Sequence, residues 1–247
     1  MLKISSLSDT GLVRSTNEDF FLFSREYRII IIADGVGGHD YGEVASRIAA
    51  ESAYALLDNE FDDDNQLNVE DPVKLLNKSI VFANQKVIEM KVQKPSHQQM
   101  GTTLTCIYVD DNFVYFSYIG DSRLYHISLA ENKISQLTTD HTLSQNKLNQ
   151  NLMPKLHARA NHVLTRMIGA GNSINPGFGK HPLQKGDVLL TCTDGLSDLV
   201  SDENILQTIV KNKNNMDDMD SCLEELLTQV KTERARDNVT VVLASLE

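Results

Sequence analysis

The stretch Ile29-Ile30-Ile31-Ile32-Ala33-Asp34-Gly35 fixes how the rest of the chain is read. Four β-branched residues followed by Ala favour an extended strand, and an apolar run this continuous belongs where both faces are covered. Asp34 then stands at the C-terminal lip of that strand. Gly35 lets the backbone turn sharply or come close to a ligand. The same plan recurs in Val188-Leu189-Leu190-Thr191-Cys192-Thr193, which is followed by Asp194-Gly195. A third carboxylate, Asp237, lies just before Asn238 and the apolar run Val239 to Ser245. If that last strand runs antiparallel to the other two, its start lies at the same sheet edge as their ends, and the three carboxylates converge.

Working outward, further runs rich in Ile, Val, Thr, Tyr and Phe predict strands at Phe20 to Phe23, Thr103 to Val109, Phe113 to Ile119 and Leu124 to Ser128. Asp110-Asp111-Asn112 reads as a hairpin turn. Helical spacing appears over Glu43 to Leu57, Val73 to Val92, Asp202 to Val210 and Met219 to Val230. In the second of these, Leu76, Ile80, Ala83, Val87 and Met90 recur at three- and four-residue steps. Strands in consecutive groups with helical pairs between them favour α+β with antiparallel sheets over βαβ alternation. With no internal repeat and no Pro/Gly-rich linker, residues 1–247 read as one domain. Asp58 to Asp71 reads as a solvated acidic loop, because it lacks the Gly and closing Glu of a calcium-binding EF-hand. The polar segment 143–161 reads as a flap or, failing that, a plain connection.

Composition narrows the function. The chain has 41% hydrophobic and 23% charged residues, as an ordinary globular domain has. A net charge of −11 argues against nucleic acid and anionic membranes as partners. Cys106, Cys192 and Cys222 form no Cys-x-x-Cys pair, so neither a zinc site nor a disulfide framework is signalled. The first residues lack the long apolar core of a signal peptide, and Ile29 to Ala33 is too short to span a bilayer. The expectation is a cytoplasmic protein without direct membrane insertion.

Clustered carboxylates raise one another's pKa unless a cation neutralises them, and hard oxygen donors select Mg²⁺, Mn²⁺ or Ca²⁺ over zinc. One Asp-Gly pair is commonly just a turn. Two at the ends of apolar strands, with a third Asp at a strand start, make a candidate metal site whose chemistry they leave open.

Read in order, the motifs resemble those of the bacterial type 2C, metal-dependent (PPM) serine/threonine protein phosphatases. The similar segments are Arg14-Ser15-Thr16-Asn17-Glu18-Asp19, Asp34-Gly35-Val36-Gly37-Gly38-His39, Gly101-Thr102-Thr103, Gly120-Asp121-Ser122-Arg123, Thr139-Asp140-His141, Leu164-Thr165-Arg166, Thr193-Asp194-Gly195-Leu196 and Asp237-Asn238-Val239-Thr240. Each is weak alone, but their ordered succession over essentially the whole chain is specific. The resemblance implies a four-layer α-β-β-α sandwich of two antiparallel sheets flanked by helices, with two Mn²⁺ or Mg²⁺ ions in a cleft. By similarity Asp34 bridges both ions, the Gly35 carbonyl completes one shell, and Asp194 and Asp237 hold the other ion. Glu18 and Asp19 resemble outer groups that orient the ions' waters, and Asp121 resembles the residue that binds a third, weaker ion. Arg14 resembles the arginine that grips the substrate phosphate, a task its guanidinium fork suits. Arg123 and Arg166 are expected to pair with acidic groups near the cleft, and Asn238 to support the site by hydrogen bonding.

The implied reaction is hydrolysis of phosphoserine and phosphothreonine in proteins by a hydroxide bridging two metals, opposing a bacterial Ser/Thr kinase. Val36 stands where animal members carry a histidine assigned as general acid, and His39 is expected to be structural. The implied partners are phosphorylated proteins, including a Ser/Thr kinase or its substrates. The alternatives are a sporulation-type phosphatase of anti-anti-sigma factors and an inactive phosphatase-like binding module.

Overall fold

A computed structural model describes residues 2–246 except 25, 27, 37–40, 63–66, 68, 146–161 and 213–218. His39 and all but the first three residues of the expected flap therefore lie outside the described residues. Two antiparallel sheets face each other. One contains β1 (Leu2–Asp9), β11 (Val239–Leu246), β10 (Val188–Cys192), β7 (Arg123–Ser128) and β8 (Lys133–Gln136), in that spatial order. The other runs β2 (Asp19–Ser24), β3 (Ile29–Val36), β5 (Leu104–Val109), β6 (Phe113–Ile119) and β9 (Gly177–Pro182), with the short β4 (Gly101–Thr102) paired to the end of β3.

The period-two geometry of strands explains the layering. In β11, Val239, Val241 and Leu243 pack outward under the helices α4 (Asp202–Lys211) and α5 (Met219–Thr232). Its alternate residues Val242, Ala244 and Leu246 join Leu189, Ile30, Ile107 and Val114 in the layer between the sheets. On the far side, Ile29, Ile31 and Ala33 of β3 meet α1 (Gly42–Asp58) and α2 (Pro72–Gln93) through Ala45, Ala49, Leu76 and Ile80. Three apolar layers thus hold four structural ones, as the α-β-β-α reading requires. Each fully buried Val, Leu or Ile contributes about 1.5–3 kcal/mol.

The local signals act as read. Asp110 accepts from the backbone N–H of Asn112 at 2.8 Å and of Phe113 at 2.6 Å, closing the β5–β6 hairpin. In the acidic segment, Asp71 caps α2 by accepting from the N–H groups of Val73 and Lys74. Cys106, Cys192 and Cys222 are buried free thiols. No helix among the described residues is long and apolar enough to cross a membrane.

Two expectations need correction. The strands preceding Asp34 and Asp194 do not share a sheet with one common edge. β10 and β11 are antiparallel neighbours, as expected, but β3 belongs to the opposing sheet. The carboxylates converge because the ends of two facing sheets meet across a cleft. In addition, β3 continues past Ala33 to Val36, since Gly35 and Val36 pair with Thr102 and Gly101 of β4.

Candidate metal and phosphate site

One cleft of about 680 Å³ is lined by Arg14, Glu18, Asp34, Gly35, Val36, Asp194 and Asp237. An adjoining cavity of about 130 Å³ holds Asp121 and shares Asp194 and Asp198 with it.

Backbone ties fix each carboxylate. The Asp34 N–H donates to Thr103 Oγ1 at 2.9 Å, its carbonyl accepts from Thr102 Oγ1 at 2.8 Å, and Thr103 Oγ1 lies 2.7 Å from Ser122 Oγ. The Gly-Thr-Thr and Gly-Asp-Ser-Arg segments thereby become one scaffold linking Asp34 to the Asp121 turn. Asp194 opens a short helix, α3 (Asp194–Ser197), directly after β10. A side-chain Cβ on Gly195 would lie 1.9 Å from the Asn238 carbonyl oxygen, and one on Gly35 would lie 2.6 Å from that of Glu18. Glycine at both Asp-Gly pairs is therefore a matter of close backbone approach.

Asn238 clamps the N-terminal loop. Its Nδ2 donates to the carbonyls of Thr10 and Thr16, both at 3.0 Å, while its Oδ1 accepts from the Glu18 N–H at 2.9 Å. Asp19 lies directly opposite Asp34 across the β2–β3 pair and accepts from Thr193 Oγ1 at 2.9 Å. Arg14 Nη2 reaches Asp237 Oδ2 at 2.9 Å, so the expected phosphate-binding group lies beside an expected metal ligand.

The electrostatics follow from that crowding. Burial, reinforced by the fields of Asp194 and Asp237, pushes Asp19 up to about 7. Asp34 is held well above the ordinary carboxylate value by burial and then by Asp19, Asp194, Asp121 and Asp237. Burial with Asp194 and Asp140 raises Asp121 to about 7, and burial with Asp198 and Asp237 raises Asp194 to about 6. Carboxylates enclosed together in this way call for a cation, and the oxygen donors of Asp34, Asp194 and Asp237 suit Mg²⁺ or Mn²⁺. The residues fit the expected metals.

The tightest potential ligand set among the described residues is nevertheless His162, Asp194 and Asp198, whose donor atoms all lie within 4.8 Å of one another. The predicted trio is spread more widely round the cleft. His162 Nδ1 is 3.0 Å from Asp198 Oδ2. Neither residue was singled out from the sequence. Asp198 had a usable signal, being four residues beyond Asp194 and so on the same face of a helical turn; His162 had none. Arg123 pairs with Asp140 at 2.7 Å as expected and also donates to Tyr125 Oη at 3.0 Å. Arg166 departs from expectation. It lies 3.2 Å from His141 Nε2 and donates to the Asn175 carbonyl, so it holds loops where a carboxylate partner was predicted.

Comparison with known proteins gives one consistent picture. The family profile described as Protein phosphatase 2C matches residues 13–244. The chain is 32% identical to Serine/threonine protein phosphatase PstP of Mycobacterium tuberculosis, an alignment spanning all of this chain but 45% of that relative. It is 31% identical to Protein phosphatase PhpP of Streptococcus pneumoniae, covering 99% of this chain and 98% of the relative. Among solved structures, the catalytic domain of PstP in complex with two manganese ions superposes with a TM-score of 0.80 at 31% identity, covering 100% of this chain and 99% of that one.

Proposed function

The chain belongs to the protein phosphatase 2C family, and from that membership we propose that it hydrolyses phosphoserine and phosphothreonine in proteins with the help of two divalent metal ions. The observation that carries this reading is the meeting of Asp34, Asp194, Asp237 and Arg14 in one cleft. When bound, two Mn²⁺ or Mg²⁺ ions supply Lewis acidity toward the phosphoryl oxygens and lower the pKa of water for in-line attack at phosphorus.

The chain's own residues do the rest. Asp34, Asp194, Asp237 and the Gly35 carbonyl would hold the ions, and Asp121 at the neighbouring cavity would be the ligand for a third, weaker one. Glu18 and Asp19 orient water from one layer further out. Arg14, steered over the cleft by Asp237, exchanges that carboxylate for the incoming phosphate and stabilises charge on its oxygens. Asn238 keeps the Arg14 loop in place. Val36 leaves the cleft wall without an acid at that position.

Residues 1–247 act as one catalytic domain, with 143–161 as its flap. The partners are phosphorylated proteins, among them a Ser/Thr kinase or its substrates. The cytoplasm is the proposed place of action, where three buried free thiols stay reduced. An inactive binding module fits poorly with a complete set of carboxylates, and no observation favours the sporulation-type alternative.

A phosphothreonine peptide assayed with Mn²⁺, with chelator, and with the Asp194→Asn variant tests the proposal. Release of phosphate should depend on metal and on Asp194. Undiminished turnover in metal-free protein would overturn the reading.

A further inference from the structure

We propose that Arg236 is a specificity-determining residue, favouring phosphoprotein segments that carry a second anionic side chain next to the phosphorylated residue. The inference rests on the phosphatase reading and deepens it.

Two loops form one rim of the metal cleft, and they are tied together. The Leu12 N–H donates to the Ala235 carbonyl at 2.9 Å, Lys231 Nζ reaches Asp9 Oδ2 at 2.8 Å, and Arg14 meets Asp237 at 2.9 Å. Ala235 is fully buried and anchors the turn between α5 and β11, while Arg234, with φ of 66°, bends the chain there. That anchor leaves Arg236 exposed and lining the cleft one residue from Asp237.

The cleft is otherwise dominated by acids, and the whole chain carries a net charge of −11. A guanidinium in such surroundings normally finds a carboxylate. Arg14 does so, but Arg236 forms no ion pair or hydrogen bond among the described residues, even though Glu233 lines the same wall. Its donor fork is therefore available to a ligand.

A peptide whose phosphate sits at Arg14 must pass its neighbouring residues over this rim. The rim also carries Leu12 and Val13, 60% and 68% exposed, which offer apolar contact to an extended segment. Arg236 then matches a carboxylate or a second phosphoryl group through charge-assisted hydrogen bonds. Glu233 would instead favour a basic neighbour, so the sign of the preference is a real test of which residue governs.

The experiment uses the Mn²⁺-loaded protein and phosphothreonine peptides flanked on both sides by Asp, by a second phosphothreonine, by Ala or by Lys. Wild type should show kcat/KM about fivefold higher for the anionic peptides than for the Ala peptide, in keeping with a partly exposed charge pair. Arg236→Ala should erase that preference mainly through KM, Arg236→Lys should keep part of it, and Arg236→Glu should turn it toward the Lys peptide. A preference confined to the second phosphate assigns the contact to phosphoryl groups, and one shared by Asp assigns it to anions generally. An identical ranking in wild type and Arg236→Ala, or a wild-type preference for Lys, overturns the inference while leaving the phosphatase reading intact. No turnover of any peptide overturns both.

Discussion

Strand β10 has a buried or half-buried aspartate beyond each end, and the two live in opposite circumstances. Asp187, just before the strand, is 6% exposed and fully served. His126 Nε2 lies 2.8 Å from its Oδ2, and the Gln184 N–H donates to the same oxygen at 2.8 Å. Asp194, just after the strand, is lifted to about 6 by burial and then by the nearby charges of Asp198 and Asp237. One carboxylate has its hydrogen-bond partners built into the fold. The other is crowded by like charges at Asp198 and Asp237, which a bound cation would offset. Burial alone therefore says little about purpose; the partners decide it.

The comparison can be broken most directly with Asp194→Asn. Turnover of a phosphopeptide should fall by at least about a thousandfold, the scale expected when a metal ligand is lost. Removing one of several mutually repelling carboxylates should leave melting of the metal-free protein unchanged or raise it. A lower metal-free melting temperature would place Asp194 with Asp187 as a structural residue.

Asp187→Ala should behave the other way. Leaving His126 and the Gln184 N–H without their acceptor should cost about 3 kcal/mol of stability in denaturant melts. Turnover per folded molecule should stay within about twofold of wild type, a comparison scaled to the tenfold-per-1.36 kcal/mol rule. A large loss of turnover would mean the two ends of β10 are coupled.

The smallest expected effect concerns pH. Asp19 and Asp121 at about 7 and Asp194 at about 6 all sit above the ordinary carboxylate value, each chiefly through burial. Groups raised in the folded state bind protons more tightly there than in the unfolded chain, so their contribution is favourable at low pH and is lost as pH rises through those values. Metal-free protein should gain about 1–2 kcal/mol between about pH 8 and about pH 6.5. Below about 6.5 the sign is opposed by His141, which burial holds down at about 4 so that its protonation favours unfolding. Saturating Mn²⁺ should flatten the alkaline part of the curve and add stability by mass action. A metal-free protein that loses stability over that alkaline interval would contradict the raised carboxylates.

What could be read from the sequence divides along physical lines. Central strands announced themselves, because Ile29 to Ala33 and Val239 to Ser245 are apolar on both faces. The strands not predicted are the two-residue β4, paired to the end of β3, and β1, β8 and β9, which lie at sheet edges. There, sequences such as Leu2-Lys3-Ile4-Ser5-Ser6 and Gly177-Phe178-Gly179-Lys180 carry polar or small residues that discourage further pairing and dilute the strand signal. The aspartates at strand ends marked the cleft, although the sequence pattern could not tell that β3 belonged to the opposing sheet. Asp198 and Arg236 went unread because each gains its meaning from a neighbour brought near by folding.

The placement of β11 also governs timing. This strand carries Asp237 and Asn238 at its start, yet it lies between β1 and β10, pairing Leu2 with Leu246 on one side and Val188 with Ser245 on the other. During synthesis β1 must wait about 230 residues for this partner, and contacts so distant in sequence close late. Until they do, the Arg14 loop has no clamp and the cleft lacks one wall. Assembly of the cleft around Asp237 therefore coincides with completion of the sheet.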